Sequence, residues 1–301
     1  MIGRIRNACI ETEQGFLVDN VWVANNLTSE AIFGQSSLSS FQALTIQYGG
    51  PLPPLMVNQV TTEPDFGFAR HLPVSCFTQV DKSTPAIRTP SRRNSEANKQ
   101  FIRETIQQLK KEGKIRTSTS SWRSQVFVCR EPGRKPRMVV DYSQTINKIT
   151  PIDAFPIPLV PEVLEEVSKY KYLSYIDLKD AFHQLRLERE EWPLTAFEAD
   201  GQLWEFTCVP FGLRNSPAAF NRALRNILGD LVGIILYIDD VVVGGATIEE
   251  HDHNLKRLFQ RLTERNLRLS LKKCVFRGTN LRFLGHIITN GTIKPDPQRA
   301  S

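Results

Sequence analysis

The stretch Ile234-Ile-Leu-Tyr-Ile-Asp-Asp-Val-Val-Val243 constrains this chain more than any other. Its two apolar, β-branched runs read as neighbouring strands of a buried sheet. The carboxylates between them, Asp239 and Asp240, then sit on a hairpin tip at the sheet's edge. Aspartate is common in turns, so an isolated Asp-Asp says little. The surroundings say more. Like charges side by side repel, the apolar flanks lower the local dielectric, and a divalent cation relieves the strain. Hard oxygen donors with no Cys or His nearby point to magnesium or manganese.

Holding two ions a few ångströms apart takes a third carboxylate. Tyr172-Leu-Ser-Tyr-Ile-Asp-Leu178 offers Asp177 at the end of a strand-like run. Taken alone, Asp177 reads equally well as a strand-terminal cap. Three carboxylates on neighbouring strands suit in-line phosphoryl transfer, in which the protein contributes chiefly position and charge. A cationic element should face them. Arg130, Arg134, Lys135 and Arg137 surround the turn at Pro132-Gly133, either as a solvated hairpin tip or as a flap that grips a triphosphate.

These segments, in this order, resemble a reverse transcriptase, and within that family the gypsy-type LTR retrotransposons. The resemblance rests on Arg137-Met-Val-Val-Asp-Tyr142 with Asn147-Lys148, on Asp177-Leu-Lys-Asp-Ala-Phe182, and on Val209-Pro-Phe-Gly-Leu-Arg-Asn-Ser-Pro-Ala-Ala-Phe220. Tyr237-Ile-Asp-Asp240 and Leu281-Arg-Phe-Leu-Gly-His286 complete it. It implies an RNA-directed DNA polymerase that adds deoxynucleotides to a primer 3′-hydroxyl, with an RNA template, a DNA or RNA primer and a dNTP as partners. Asp177, Asp239 and Asp240 would hold two Mg²⁺ ions, or Mn²⁺, with Asp240 the least directly bound. Lys135 and Arg137 would contact the triphosphate, and backbone amides at Asp180 and Ala181 would cradle it. Phe182 would stand under the sugar as a steric gate against the 2′-hydroxyl. Phe211 would line the same pocket, and Gly212 would allow close approach of the template. Phe283, Leu284 and Gly285 would form the primer grip.

The implied fold is α+β: the fingers and palm of a right-hand polymerase, with an antiparallel palm sheet packed on helices and a small β-rich remnant at the N-terminus. Residues 95–152 and 185–212 would form the fingers, 153–184 and 213–287 the palm, and 288–301 the start of a thumb. Residues 51–94 read as a linker, because seven prolines fall between 51 and 90. Residues 1–50 resemble the C-terminal part of a retropepsin-like protease at Ala31-Ile-Phe-Gly34 and Leu38. No Asp-Thr/Ser-Gly occurs, so proteolysis is not expected. A rival reading is an inactive remnant that only binds nucleic acid, and a third is a metal nuclease using the same carboxylates.

The local patterns fill in the elements. Phe101, Ile102, Ile106 and Leu109 predict a helix over 95–112, closed by Gly113. Ser216-Pro217 predicts an N-cap and first-turn proline, and Thr247 with Glu250 a capping box. Leu194–Ala199, Leu203–Val209 and LRLSL at 267–271 read as strands, and Asp200-Gly201 as a hairpin turn. His251 and His253 read as a solvated helix start. The net charge of +6 permits a polyanionic partner without demanding one. No apolar run is long enough for a membrane helix. The N-terminus lacks a signal-peptide pattern, and the five cysteines have no disulfide or zinc spacing, so an intracellular, cytoplasmic setting is expected.

Overall fold

The computed structural model describes residues 68–297 except 82, 132, 134, 279 and 290, together with the backbone of four strands upstream. Those strands form two antiparallel pairs: β1 (Gly3–Thr12) with β2 (Gly15–Val23), and β3 (Ala43–Ile46) with β4 (Leu55–Asn58). The protease-like cue at 31–38 lies outside the described residues. From Phe68 onward the Pro-rich stretch is extended backbone laid on the body. Val74 bridges to Leu187, Arg88 to Arg123, and Cys76 and Phe77 are buried. The Glu191 carboxylate fastens it, accepting from the Ser75 hydroxyl and from the amides of Cys76 (2.8 Å) and Phe77 (3.1 Å).

Helix α1 (Glu96–Lys111) buries Ile102 and Ile106, as the periodicity predicts. Ser95 caps it, accepting from the Asn98 amide, and Gly113 follows at φ +66°. It packs on a five-stranded sheet of order β5-β10-β9-β6-β7. These strands are β5 (Ile115–Thr117), β6 (Ser124–Cys129), β7 (Arg137–Asp141), β9 (Phe197–Ala199) and β10 (Gln202–Phe206). Asp200-Gly201 joins β9 to β10 with both residues at positive φ, the hairpin geometry expected of Asp-Gly. The strand expected over Leu194–Ala199 is shorter. Arg189–Thr195 forms a 3₁₀ helix, held by the Trp192 indole donating to the Leu187 carbonyl at 2.9 Å.

Between β7 and β9 the chain runs through α2 (Ile146–Ile149), α3 (Val160–Ser168) and β8 (Tyr172–Asp177). Strand β8 belongs to a second, wholly antiparallel sheet of order β11-β12-β8-β13. Its other strands are β11 (Ile234–Tyr237), β12 (Asp240–Gly245) and β13 (Val275–Gly278). Both faces are covered, which explains the unbroken apolar run of the sequence. Ile176, Val241 and Val243 face helices α4 (Ser216–Leu228) and α5 (Ile248–Glu264), where Leu224, Ile227, Leu255 and Leu258 are buried. Leu173, Ile235 and Val242 face α3 and a three-stranded sheet of β14 (Asn280–Phe283), β15 (His286–Thr289) and β16 (Thr292–Pro295).

Thr247 caps α5, and Glu250 reaches back to the Ala246 amide at 2.9 Å, one residue earlier than the expected box. The N-cap of α4 is Asn215; Ser216 lies inside the helix and donates to the Pro210 carbonyl at 2.8 Å. LRLSL is not a strand. It makes a single bridge, Leu178 to Leu269, and ends in the 3₁₀ turn Leu271–Lys273. Among the described residues, no helix is long and apolar enough to cross a membrane.

Candidate active site

Antiparallel pairing sets Asp240, the first residue of β12, directly opposite Asp177, the last residue of β8. Opposed residues project to the same face, so two carboxylates distant in sequence share one strand end. Tyr237 pairs with Asp240 and closes the β11–β12 hairpin, which leaves Ile238 and Asp239 as its two-residue tip. Ile238 sits at φ +52°, a region where a β-branched residue is strained. The tip therefore carries Asp239 exposed and Asp240 half-buried beside it.

The side chains around the pair hold it in place. Tyr175 lies two residues before Asp177, on the same strand face, and its hydroxyl donates to Asp240 Oδ1. Burial first, then that bond, then the charges of Asp240, Asp177 and Asp239 push the Tyr175 phenol upward, so it stays a neutral donor. Lys273 Nζ lies 3.4 Å from Asp177 Oδ2. The Asp177 backbone is clamped by the Ser270 amide at 2.8 Å and by the Cys274 sulfur, which accepts from the Asp177 amide at 3.4 Å. Burial lifts the Cys274 thiol to about 11, so it remains protonated there.

The three carboxylates suit a hard divalent cation by donor type and by backbone placement. In this conformation Asp240 is engaged by Tyr175 and Asp177 by Lys273. Among the described residues, no group of three or more His, Cys, Asp or Glu side chains forms a ready ion cage.

Asp180 and Phe182 lie just beyond β8. Asp180 takes the left-handed conformation, φ +47°, and opens a 3₁₀ turn, Ala181–Gln184. Buried Gln184 clamps that turn: its amide donates to the carbonyls of Lys179 (2.6 Å) and Arg268 (3.1 Å), and its oxygen accepts from the Arg268 amide at 2.7 Å. The Phe182 ring meets Phe211 and Phe220 edge-on, with centroids 5.0 and 5.2 Å apart. Phe211 remains 48% exposed, so an aromatic surface faces solvent beside the turn. His183 is packed against Phe206 and Phe211; burial, then the Lys114 charge, lowers it to about 4. Gly212 stands at φ +89°, where an added Cβ would lie 3.3 Å from the Val140 carbonyl, so its close neighbour here is β7.

Two expected groups are supplied by other elements. Lys135 and Arg137 belong to the β6–β7 hairpin of the other sheet; both are exposed, and Arg137 pairs with Glu131 at 2.5 Å. Phe283 is buried in the core beneath β12, in contact with the cluster that Tyr175 and Tyr237 join. Leu284 and Gly285, both at positive φ, turn β14 into β15. Sequence reasoning missed Tyr175, Lys273 and Gln184. The two-residue strand repeat would have placed Tyr175 beside Asp177; the others come from elsewhere in the chain and leave no local signal.

The family model described as reverse transcriptase (RNA-dependent DNA polymerase) matches residues 109–288. The chain belongs to the reverse transcriptase family. It is 36% identical over 203 residues to the retrovirus-related Pol polyprotein from transposon 297 of Drosophila melanogaster, covering 65% of this chain and 19% of that one. It is 31% identical over 207 residues to that from transposon gypsy of the same organism, covering 66% and 20%. Among solved structures, the foamy viral protease-reverse transcriptase in complex with RNA/DNA hybrid superposes with a TM-score of 0.70 at 26% identity, covering 78% of this chain and 31% of that chain. The foamy viral protease-reverse transcriptase dRH in complex with double-stranded DNA gives 0.70 at 27%, covering 77% and 40%. This reverse transcriptase segment thus spans about a fifth of the length of these curated relatives. The α+β fold read from the sequence is that of the foamy viral enzyme, and reverse transcriptases as a family work with divalent metal ions.

Proposed function

We propose that this chain carries the fingers and palm of an RNA-directed DNA polymerase from a retrotransposon polyprotein. The reaction joins a primer 3′-hydroxyl to the α-phosphate of a deoxynucleotide and releases pyrophosphate. One observation carries the reading: Asp177 faces Asp240 across β8 and β12, with Asp239 on the adjoining tip. Two Mg²⁺ ions bound there would activate the attacking hydroxyl and neutralise the leaving oxygen.

The chain's own groups do the positioning. The amides of Asp180 and Ala181 cradle the triphosphate, while Lys135 and Arg137 approach it from the β6–β7 hairpin, Arg137 after leaving Glu131. Phe182, braced by Phe211 and Phe220, fills the place of a ribose 2′-hydroxyl. The hairpin turn Phe283-Leu284-Gly285 supports the primer end. The template is RNA and the primer DNA or RNA, in keeping with the RNA/DNA hybrid held by the foamy viral relative.

Single-nucleotide primer extension on an RNA template with Mg²⁺ tests this. Asp239→Asn should abolish incorporation, by a factor of about 10³ or more, with the circular dichroism spectrum and melting temperature kept. Full activity in that variant refutes the assignment. Salt-dependent binding of the hybrid without extension by the parent chain would identify a binding remnant, and cleavage of the hybrid a nuclease.

A further inference from the structure

The turn that begins at Asp180 is held from outside its own sheet. Lys114 sits between α1 and β5, and its side chain is 7% exposed. Its Nζ lies 2.7 Å from Glu112 Oε2 and 3.3 Å from Asp180 Oδ2. Its backbone is anchored at both ends: its amide donates to the Leu109 carbonyl, and its carbonyl accepts from the Thr207 amide, each at 2.9 Å. The base of the side chain thus belongs to the five-stranded sheet and its helix, and the tip belongs to the turn after β8.

The charge balance decides what such a lysine can do. Two carboxylates share one ammonium, so the cluster Glu112–Lys114–Asp180 is net negative and offers nothing to a triphosphate. Burial alone would lift the Asp180 carboxyl, but the Lys114 charge and hydrogen bond outweigh it and leave it below the usual carboxylate range. Asp180 is therefore ionised at neutral pH and tethered. Its left-handed backbone is uncommon for a residue with a side chain, and the tether holds that conformation. On the other side of the turn, Phe182 is wedged between Phe211 and Phe220. A lysine on one flank and an aromatic wedge on the other fix the orientation of the Asp180 and Ala181 amides.

We propose that Lys114 is a positioning residue that locks the Asp180–Phe182 turn in its nucleotide-receiving shape, so that it sets the affinity for the incoming deoxynucleotide and leaves the chemical step alone. The proposal rests on the polymerase reading above. It adds that the nucleotide platform of one sheet is held by a buried cation of the other.

The test is single-nucleotide extension by Lys114→Met, Lys114→Arg and Glu112→Gln, beside the parent chain. Lys114→Met should raise the KM for dNTP about tenfold with kcat kept within about twofold. Lys114→Arg should restore most of the affinity. Glu112→Gln removes the partner that does not touch the turn, and should leave KM near the parent value. An unchanged KM in Lys114→Met, a loss confined to kcat, or an equal KM rise in Glu112→Gln overturns the proposal. Should Lys114→Met fail to fold, Asp180→Asn breaks the same pair while Lys114 keeps Glu112, and carries the same expectation. Hydrogen exchange at residues 179–184 gives a readout independent of extension: it should quicken in Lys114→Met, and unchanged exchange sinks the tether. If the parent chain extends nothing, the polymerase reading falls, and the exchange still decides whether Lys114 holds the turn.

Discussion

Tyr175 meets Asp240 because a strand repeats every second residue and because β12 runs antiparallel to β8 in one fixed register. A hydrogen bond from a neutral donor to a carboxylate is worth about 1.5–3 kcal/mol. Any cation that recruits Asp240 must displace or share that bond. Tyr175→Phe should therefore lower the Mg²⁺ concentration for half-maximal extension, by about tenfold. Direct titration with Mn²⁺, followed by electron paramagnetic resonance, should show the same tightening without substrate. An unchanged or weaker affinity would mean that the hydroxyl does not compete. At this scale the sequence was legible where chemistry is concentrated in a short motif: Asp239 and Asp240 share a tip, and Asp177 ends a strand. It was not legible where a partner arrives from across the chain. Nothing local to Lys273 announces Asp177, and nothing local to Gln184 announces Arg268.

Strand β8 is pinned at a second point, at Ser174, three residues before Asp177. Ser174 Oγ lies 2.9 Å from His251 Nε2, and His251 Nδ1 lies 3.0 Å from Asp252 Oδ1. Arg277 of β13 completes the ring, donating to the same carboxylate through Nε at 2.8 Å and to Ser174 Oγ through its amide at 3.0 Å. His251 is wholly buried, contrary to the solvated helix start expected of it. The reason is Gly245: an added Cβ there would lie 2.3 Å from the His251 amide, so α5 rests directly on β12 and carries its first turn inside. Burial, then the Arg277 charge, lowers His251 to about 4 from 6.5. The folded protein keeps the ring neutral while the unfolded chain protonates it below about pH 6.5. Stability from this group is thus complete above that pH and drains away as pH falls toward 4, by about 3 kcal/mol in all. Urea unfolding between pH 7 and pH 4.5 should show the loss, and His251→Gln should flatten the slope. A slope unchanged by the substitution would remove His251 as its source. The amphipathic helices were readable because their burial repeats locally. LRLSL was not, because alternation alone cannot say whether a neighbouring strand is there to pair with it.

The five-stranded sheet draws β5, β6 and β7 from before β8, and β9 and β10 from after it. Strands β6 and β9 pair in parallel across that gap, which no hairpin could do. Composition and periodicity reached only a mixture of helices and strands, because a pairing between strands on either side of β8 leaves no local mark. The stretch 151–159 is largely exposed and has no regular structure, so it is the natural site of a proteolytic nick. A nick there should leave two fragments that elute together at the size of the intact chain and part only in denaturant. Separation under native conditions would contradict the interleaved pairing.

After Asp141 the polypeptide passes from the first sheet to the second, returns for β9 and β10, and passes over once more to α4. A jaw hung on several pins cannot swing freely. Any rocking of one sheet against the other must flex all of these backbone passages together, so its travel is short and its path repeatable, and whatever closes it over a bound molecule closes it the same way each time.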